Sequence, residues 1–187
     1  MWPPKALSRN NFNQMNLHDQ FKRITTFAFD MDGVLTDGTL FVFDNVQPVR
    51  RMHIKDGYAI QLAIKKGFRV VVISGSNSDA VTNRLLGLGV KDVFMNIEDK
   101  KNFLLLYVTK NQLTLEEVLY MGDDIPDVDV MKSAGLPCAP ADAVPEIKEI
   151  ATFISYYPGG KGCVREVIEK VLKLNDAWAM EPCITSR

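Results

Sequence analysis

The chain has 187 residues, 47% of them apolar, and a formal net charge of −1. That length and apolar content suit one domain with one core, and the near-zero charge leaves no electrostatic footprint for nucleic acid or a membrane surface. Cys138, Cys163 and Cys183 are widely spaced, match no zinc pattern, and by their odd number argue against a disulfide framework, so a reducing cytoplasm fits.

Residues 1–23 contain Pro3, Pro4 and many Asn and Gln but no apolar run. They read as neither a signal peptide nor a membrane span, but as a poorly ordered or loosely docked extension. From Thr25 a β-prone run, Thr-Thr-Phe-Ala-Phe, ends in Asp30 and Asp32, and Gly33 then lets the backbone turn. A buried strand that delivers acids to the mouth of a parallel sheet has this pattern; taken alone, an acidic β-turn has it too. Gly38 to Phe43 and Val46 to His53 flank a short polar turn and read as an apolar hairpin, which needs something to pack against.

A helix is expected from Lys55-Asp56-Gly57, with Asp56 as its N-cap and Gly67 closing it. Phe68 to Ile73 is a second buried strand that ends in Ser74-Gly75. A helix opens within Ser76 to Asp79, a short strand spans Lys91 to Met95, and a helix spans Lys100 to Thr109. Thr114-Leu115-Glu116-Glu117 has the capping-box pattern. Val118 to Gly122 is another buried strand, closed by Asp123 and Asp124, with Pro126 suited to the first turn of the following helix. Two short strands, at 136–139 and 152–154, bracket a helix at 144–150. A glycine-rich loop at 158–162 precedes a last amphipathic helix, Cys163 to Leu174. Alternating strands and helices predict an α/β fold: a doubly wound, mostly parallel Rossmann-like sheet with helices on both faces.

Three buried strands end in polar clusters, Asp30/Asp32, Ser74 and Asp123/Asp124. Strand ends of an open α/β sheet line one crevice, so these clusters should converge. Four carboxylates in one crevice repel each other and call for a divalent cation, and oxygen-only ligation favours Mg²⁺ over zinc. Metal, carboxylate nucleophile, hydroxyl and a basic residue together point to phosphoryl transfer, with a candidate lysine in Glu98-Asp99-Lys100-Lys101.

These motifs resemble the haloacid dehalogenase superfamily of phosphatases. Asp30-Met31-Asp32-Gly33-Val34-Leu35-Thr36-Asp37 matches its first motif, Ser74 its second, Lys100 its third, and Gly122-Asp123-Asp124-Ile125-Pro126-Asp127 its fourth. The resemblance runs from about residue 24 to residue 178, with 179–187 as a tail. It is closer to the 3-deoxy-D-manno-octulosonate 8-phosphate (Kdo8P) phosphatases, which lack a cap domain, carry a hairpin flap after the first motif and assemble as tetramers that cover each other's sites. Lys55-Asp56-Gly57-Tyr58 and Gly159 to Glu166 also look like that subgroup.

By this resemblance Asp30 is the nucleophile that becomes an aspartyl-phosphate, and Asp32 protonates the leaving oxygen and then activates water. Ser74 and Lys100 hold the phosphate, while Asp30, the Asp32 backbone carbonyl and Asp123 bind Mg²⁺. Asp127 orients Lys100, and Asp124 supports the metal's water shell. Lys55, Gly75, Ser76, Lys161 and Arg165 are candidates for the phosphorylated sugar acid. Ser76 is a departure, since many Kdo8P phosphatases have arginine there. It keeps a nine-carbon keto-sugar acid 9-phosphate, or a broad range of sugar phosphates, open as substrate. Two non-enzymatic readings, an oligomerisation domain and a response-regulator-like phosphoacceptor, are disfavoured by the intact motifs and by the second aspartate of the first.

Overall fold

The computed structural model describes residues 16–179. Six strands form one parallel sheet: β1 (Thr26–Phe29), β4 (Arg69–Ile73), β5 (Asp92–Phe94), β6 (Val118–Met121), β7 (Leu136–Ala139) and β8 (Phe153–Ile154), in the order β5-β4-β1-β6-β7-β8. The chain winds outward from β1 through β4 to β5, then returns to β6 on the other side of β1. That reversal is a topological switch point, and the first acid motif follows directly from it.

Side chains of each central strand alternate between two cores. Phe27, Phe29, Val70, Val72, Leu119 and Met121 pack with α2 (Ile54–Lys65), α3 (Asp79–Gly87) and α7 (Cys163–Leu174). Ala28, Val71, Ile73, Val118 and Tyr120 pack with α4 (Lys100–Lys110), α5 (Val128–Met131) and α6 (Pro145–Ile150). Burial on both faces is why these strands read as unbroken apolar runs.

The hairpin expected after the first motif is a separate two-stranded antiparallel sheet, β2 (Thr36–Phe41) with β3 (Val49–Met52). Leu40, Phe41, Val42, Phe43, Val46 and Val49 on it are exposed. Its root is fixed by the glycine-rich loop. Gly160 donates to the Val34 carbonyl at 2.9 Å, and a Cβ on Gly159 would stand 1.9 Å from the Gly33 carbonyl oxygen. No described helix is long and apolar enough to cross a membrane.

Two local expectations are corrected, and part of the expected extension is described: Leu17–Lys22 forms a helix, α1, capped by the Asn16 side chain, with Phe21 buried and its ring meeting Phe153 edge-on at 5.2 Å. Residues 1–15 of that extension, and 180–187 of the tail, lie outside the described residues. Asp56 does not cap α2, which starts one turn earlier with His53 at the N-cap. Asp56 is buried and instead accepts from the Gly162 and Arg165 amides at 3.2 and 2.7 Å, because α7 begins at a glycine and has no capping side chain of its own. Thr114 directs its hydroxyl to the Glu117 carboxylate at 3.0 Å rather than to a backbone amide, and the main chain closes that short 3₁₀ turn.

Candidate active site

At the carboxyl end of the sheet lies a crevice of about 400 Å³. Asp30, Asp32, Ser74, Gly75, Ser76, Lys100, Asp123, Asp124 and Asp127 all line it, although the sequence spreads them over almost a hundred residues. Strand ends deliver most of them, and Lys100 arrives at the first turn of α4.

Asp30 directly follows β1 and is 8% exposed. One oxygen accepts from the Met31 amide at 2.6 Å, and the other meets Lys100 Nζ at 2.9 Å. Lys100 also meets Asp127 Oδ1 at 2.8 Å, and the same oxygen accepts from the Tyr120 hydroxyl at 2.8 Å. The other Asp127 oxygen accepts from the Asp123 amide at 3.3 Å. Asp127 therefore ties the lysine to the loop that carries Asp123. Two glycines make room for this network. A Cβ on Gly33, where φ is +79°, would stand 1.9 Å from Asp123 Oδ2, and one on Gly122 would stand 2.4 Å from Asp127 Cβ.

The acids outnumber the cations. Carboxylate oxygens of Asp30, Asp123 and Asp127 can all lie within 4.8 Å of one another. Burial first, and then the charge of Asp127, push Asp30 up to about 8. Burial, with Asp127 and Asp124, pushes Asp123 up to about 7. Burial alone would lower Lys100, but Asp30 and Asp127 outweigh it and raise it. One lysine does not neutralise three close carboxylates, so this donor set fits a hard divalent cation held by oxygen.

Asp32 behaves differently although it is only two residues from Asp30. Its carboxylate turns to the crevice wall, where Arg50 Nε and Nη2 donate to Oδ1 and Oδ2 at 2.7 and 3.0 Å. The Ser76 hydroxyl donates to Oδ2 at 2.7 Å and the Thr36 hydroxyl to Oδ1 at 3.2 Å. Partial burial works to raise its pKa, but these partners outweigh it and hold Asp32 below the usual carboxylate value. Ser74 is buried, with its hydroxyl 3.3 Å from that of Ser76.

Sequence reasoning missed Arg50. The available signal was the period-2 alternation of a strand, which sends adjacent Arg50 and Arg51 to opposite faces. Arg51 pairs instead with Asp37 at the hairpin root, Nε to Oδ2 at 2.8 Å.

The expected substrate residues Lys55, Lys161 and Arg165 do not reach the crevice. They line a second cavity of about 500 Å³ with His53, Tyr156 and Tyr157. Asp56 holds the start of α7 there, Arg165 lies over the Tyr58 and Trp178 rings, and Lys161 Nζ stands 3.5 Å from Asp37.

Residues 89–164 match the family model of haloacid dehalogenase-like hydrolases. A 3-deoxy-D-manno-octulosonate 8-phosphate phosphatase of Salmonella typhi is 32% identical over 160 residues, which cover 83% of this chain and 85% of that protein. The crystal structure of such a phosphatase from Yersinia pestis superposes with a TM-score of 0.83 at 29% identity, covering 86% of this chain and 87% of that one. One from Moraxella catarrhalis, in complex with magnesium, phosphate and KDO, superposes with a TM-score of 0.81 at 28% identity, covering 89% and 93%. With its acid-lined switch point and this likeness along most of its length, the chain belongs to the haloacid dehalogenase-like hydrolases, in the group of the 3-deoxy-D-manno-octulosonate 8-phosphate phosphatases.

Proposed function

We propose that this chain is a Mg²⁺-dependent phosphomonoesterase that hydrolyses 3-deoxy-D-manno-octulosonate 8-phosphate to Kdo and phosphate. The observation that carries the reading is the crevice itself. A buried Asp30 at a strand end meets Lys100, with Asp123 and Asp127 within ligand range, on the fold of a relative crystallised with magnesium, phosphate and KDO.

Asp30, the Asp32 backbone carbonyl and Asp123 would hold the Mg²⁺, with Asp124 supporting its water shell. The ion supplies charge neutralisation at the phosphoryl oxygens. Asp30 attacks phosphorus and the bond to the sugar oxygen breaks, while Asp32, which must first take up a proton against the hold of Arg50 and Ser76, gives it to that oxygen. Water then attacks the aspartyl-phosphate, Asp32 takes a proton from it, and Asp30 leaves as a carboxylate. Lys100, oriented by Asp127, and Ser74 hold the phosphoryl oxygens through both steps. Gly75 and Ser76 face the sugar.

The exposed apolar hairpin supports assembly of copies, and we read the chain as a homotetramer. In that assembly Lys55, Lys161 and Arg165 serve a neighbouring copy's crevice rather than their own. The balanced charge and the sugar-acid substrate suit a cytoplasmic enzyme with no nucleic-acid or membrane partner. A serine at residue 76, bonded to Asp32, favours one second reading, a phosphatase for a nine-carbon keto-sugar acid 9-phosphate or for sugar phosphates broadly.

Phosphate release from a panel of sugar phosphates, with Mg²⁺ or chelator and beside Asp30→Asn, tests the proposal. Preference for Kdo 8-phosphate, lost in chelator and in the variant, is expected. A folded protein that releases no phosphate from any of them in Mg²⁺ would refute it.

A further inference from the structure

Arg50 is the unexpected residue of the site. It comes from β3 of the hairpin, yet its side chain is only 6% exposed, and its fork grips both oxygens of Asp32. Nη2 also lies 3.4 Å from the Ser76 hydroxyl, which itself donates to Asp32. A bidentate arginine fixes a carboxylate in plane and direction as well as in place. The Asp32 carboxylate is therefore held, on both of its oxygens, by a residue of the flap.

We propose that Arg50 is the positioning residue for Asp32 in the water-activating half of the reaction. The inference rests on the role given to Asp32 above. In that half, water oxygen bonds to phosphorus, the bond from phosphorus to Asp30 breaks, Asp32 receives one water proton, and phosphate departs. A base swinging out of line from the water loses most of its effect.

p-Nitrophenyl phosphate separates the two halves, because nitrophenolate leaves with its electron pair and needs no proton. In the Arg50→Met variant the second half becomes limiting. Its kcat should fall about ten- to a hundredfold, the cost of one charge-assisted hydrogen-bonded contact. KM should fall in parallel as aspartyl-phosphate accumulates, and a pre-steady-state burst should approach one nitrophenolate per chain. Arg50→Lys, which keeps the charge but not the fork, should recover part of kcat and shrink the burst.

A variant that keeps wild-type kcat, that raises KM alone, or that loses kcat and kcat/KM together without a burst overturns the inference. Asp32→Asn runs beside it. If Asp32→Asn bursts and Arg50→Met does not, only the positioning role falls. If Asp32→Asn turns over like wild type, the role assigned to Asp32 has failed instead.

Discussion

Removing divalent cations should leave a protein whose stability declines toward neutral pH. In the metal-free fold Asp30 is held at about 8 and Asp123 at about 7, against an ordinary 3.8. Between those values the folded chain keeps protons that the unfolded chain has released. More protons bound in the native state means that unfolding free energy falls as pH rises. The benefit is complete below the ordinary carboxylate value, declines steadily as pH rises above it, and is gone once pH has passed through 7 to 8. The Lys100 charge already enters the Asp30 and Asp123 values, so the two raised carboxylates give between one and two net protons, and one is the lower bound. One proton changes stability by about 1.4 kcal/mol per pH unit, hence roughly 3 kcal/mol between pH 5 and pH 7, or about 6–12 °C in Tm. Mg²⁺ competes with those protons. It should stabilise little at pH 5, and at pH 7.5 it should add on the order of 2.7 kcal/mol at a hundred times its Kd. Scanning calorimetry from pH 5 to 8, in chelator and in Mg²⁺, reads both curves. A chelated protein whose Tm stays level or rises over that range would refute the acid-cluster reasoning.

Three further outcomes follow from the same geometry. Gly33→Ala forces a left-handed backbone on alanine, at about 1–2 kcal/mol, and drives its Cβ into Asp123; Mg²⁺ affinity by calorimetric titration should drop at least tenfold while far-ultraviolet dichroism is unchanged. Asp56→Ala removes two buried acceptor contacts from the start of α7 and should cost about 1–3 kcal/mol in urea unfolding, with the slope against denaturant unchanged. Phe41→Asp with Phe43→Asp places charge on the exposed hairpin; sedimentation should show smaller assemblies, with Tm of the separated chain little altered.

The site's legibility followed how locally each residue is specified. Asp30, Ser74 and Asp123 stand just beyond buried strands, so a pattern of apolar runs ending in polar residues was enough to place them in one crevice. Lys100 was legible only through motif order, because a lysine at a helix start is ordinarily solvated, and its burial here depends on Asp30 and Asp127 together. Arg50, Lys161 and Arg165 show where linear reading stops. Each is a basic residue near a glycine or a strand, and nothing within its own segment says which acid it will meet. Asp56 decides the matter for Arg165 by capping a helix more than a hundred residues later, which fixes the start of α7 beside a separate cavity. The hairpin register decides it for Arg50. Pairing Leu40 with Arg50 and Phe41 with Val49 sets which face of β3 turns inward, and a slip of one residue would offer Arg51 to Asp32 instead. A charge partner chosen by register or by a distant cap is a property of the assembled fold, and that is why the acid half of this site could be read from the chain while its basic wall could not.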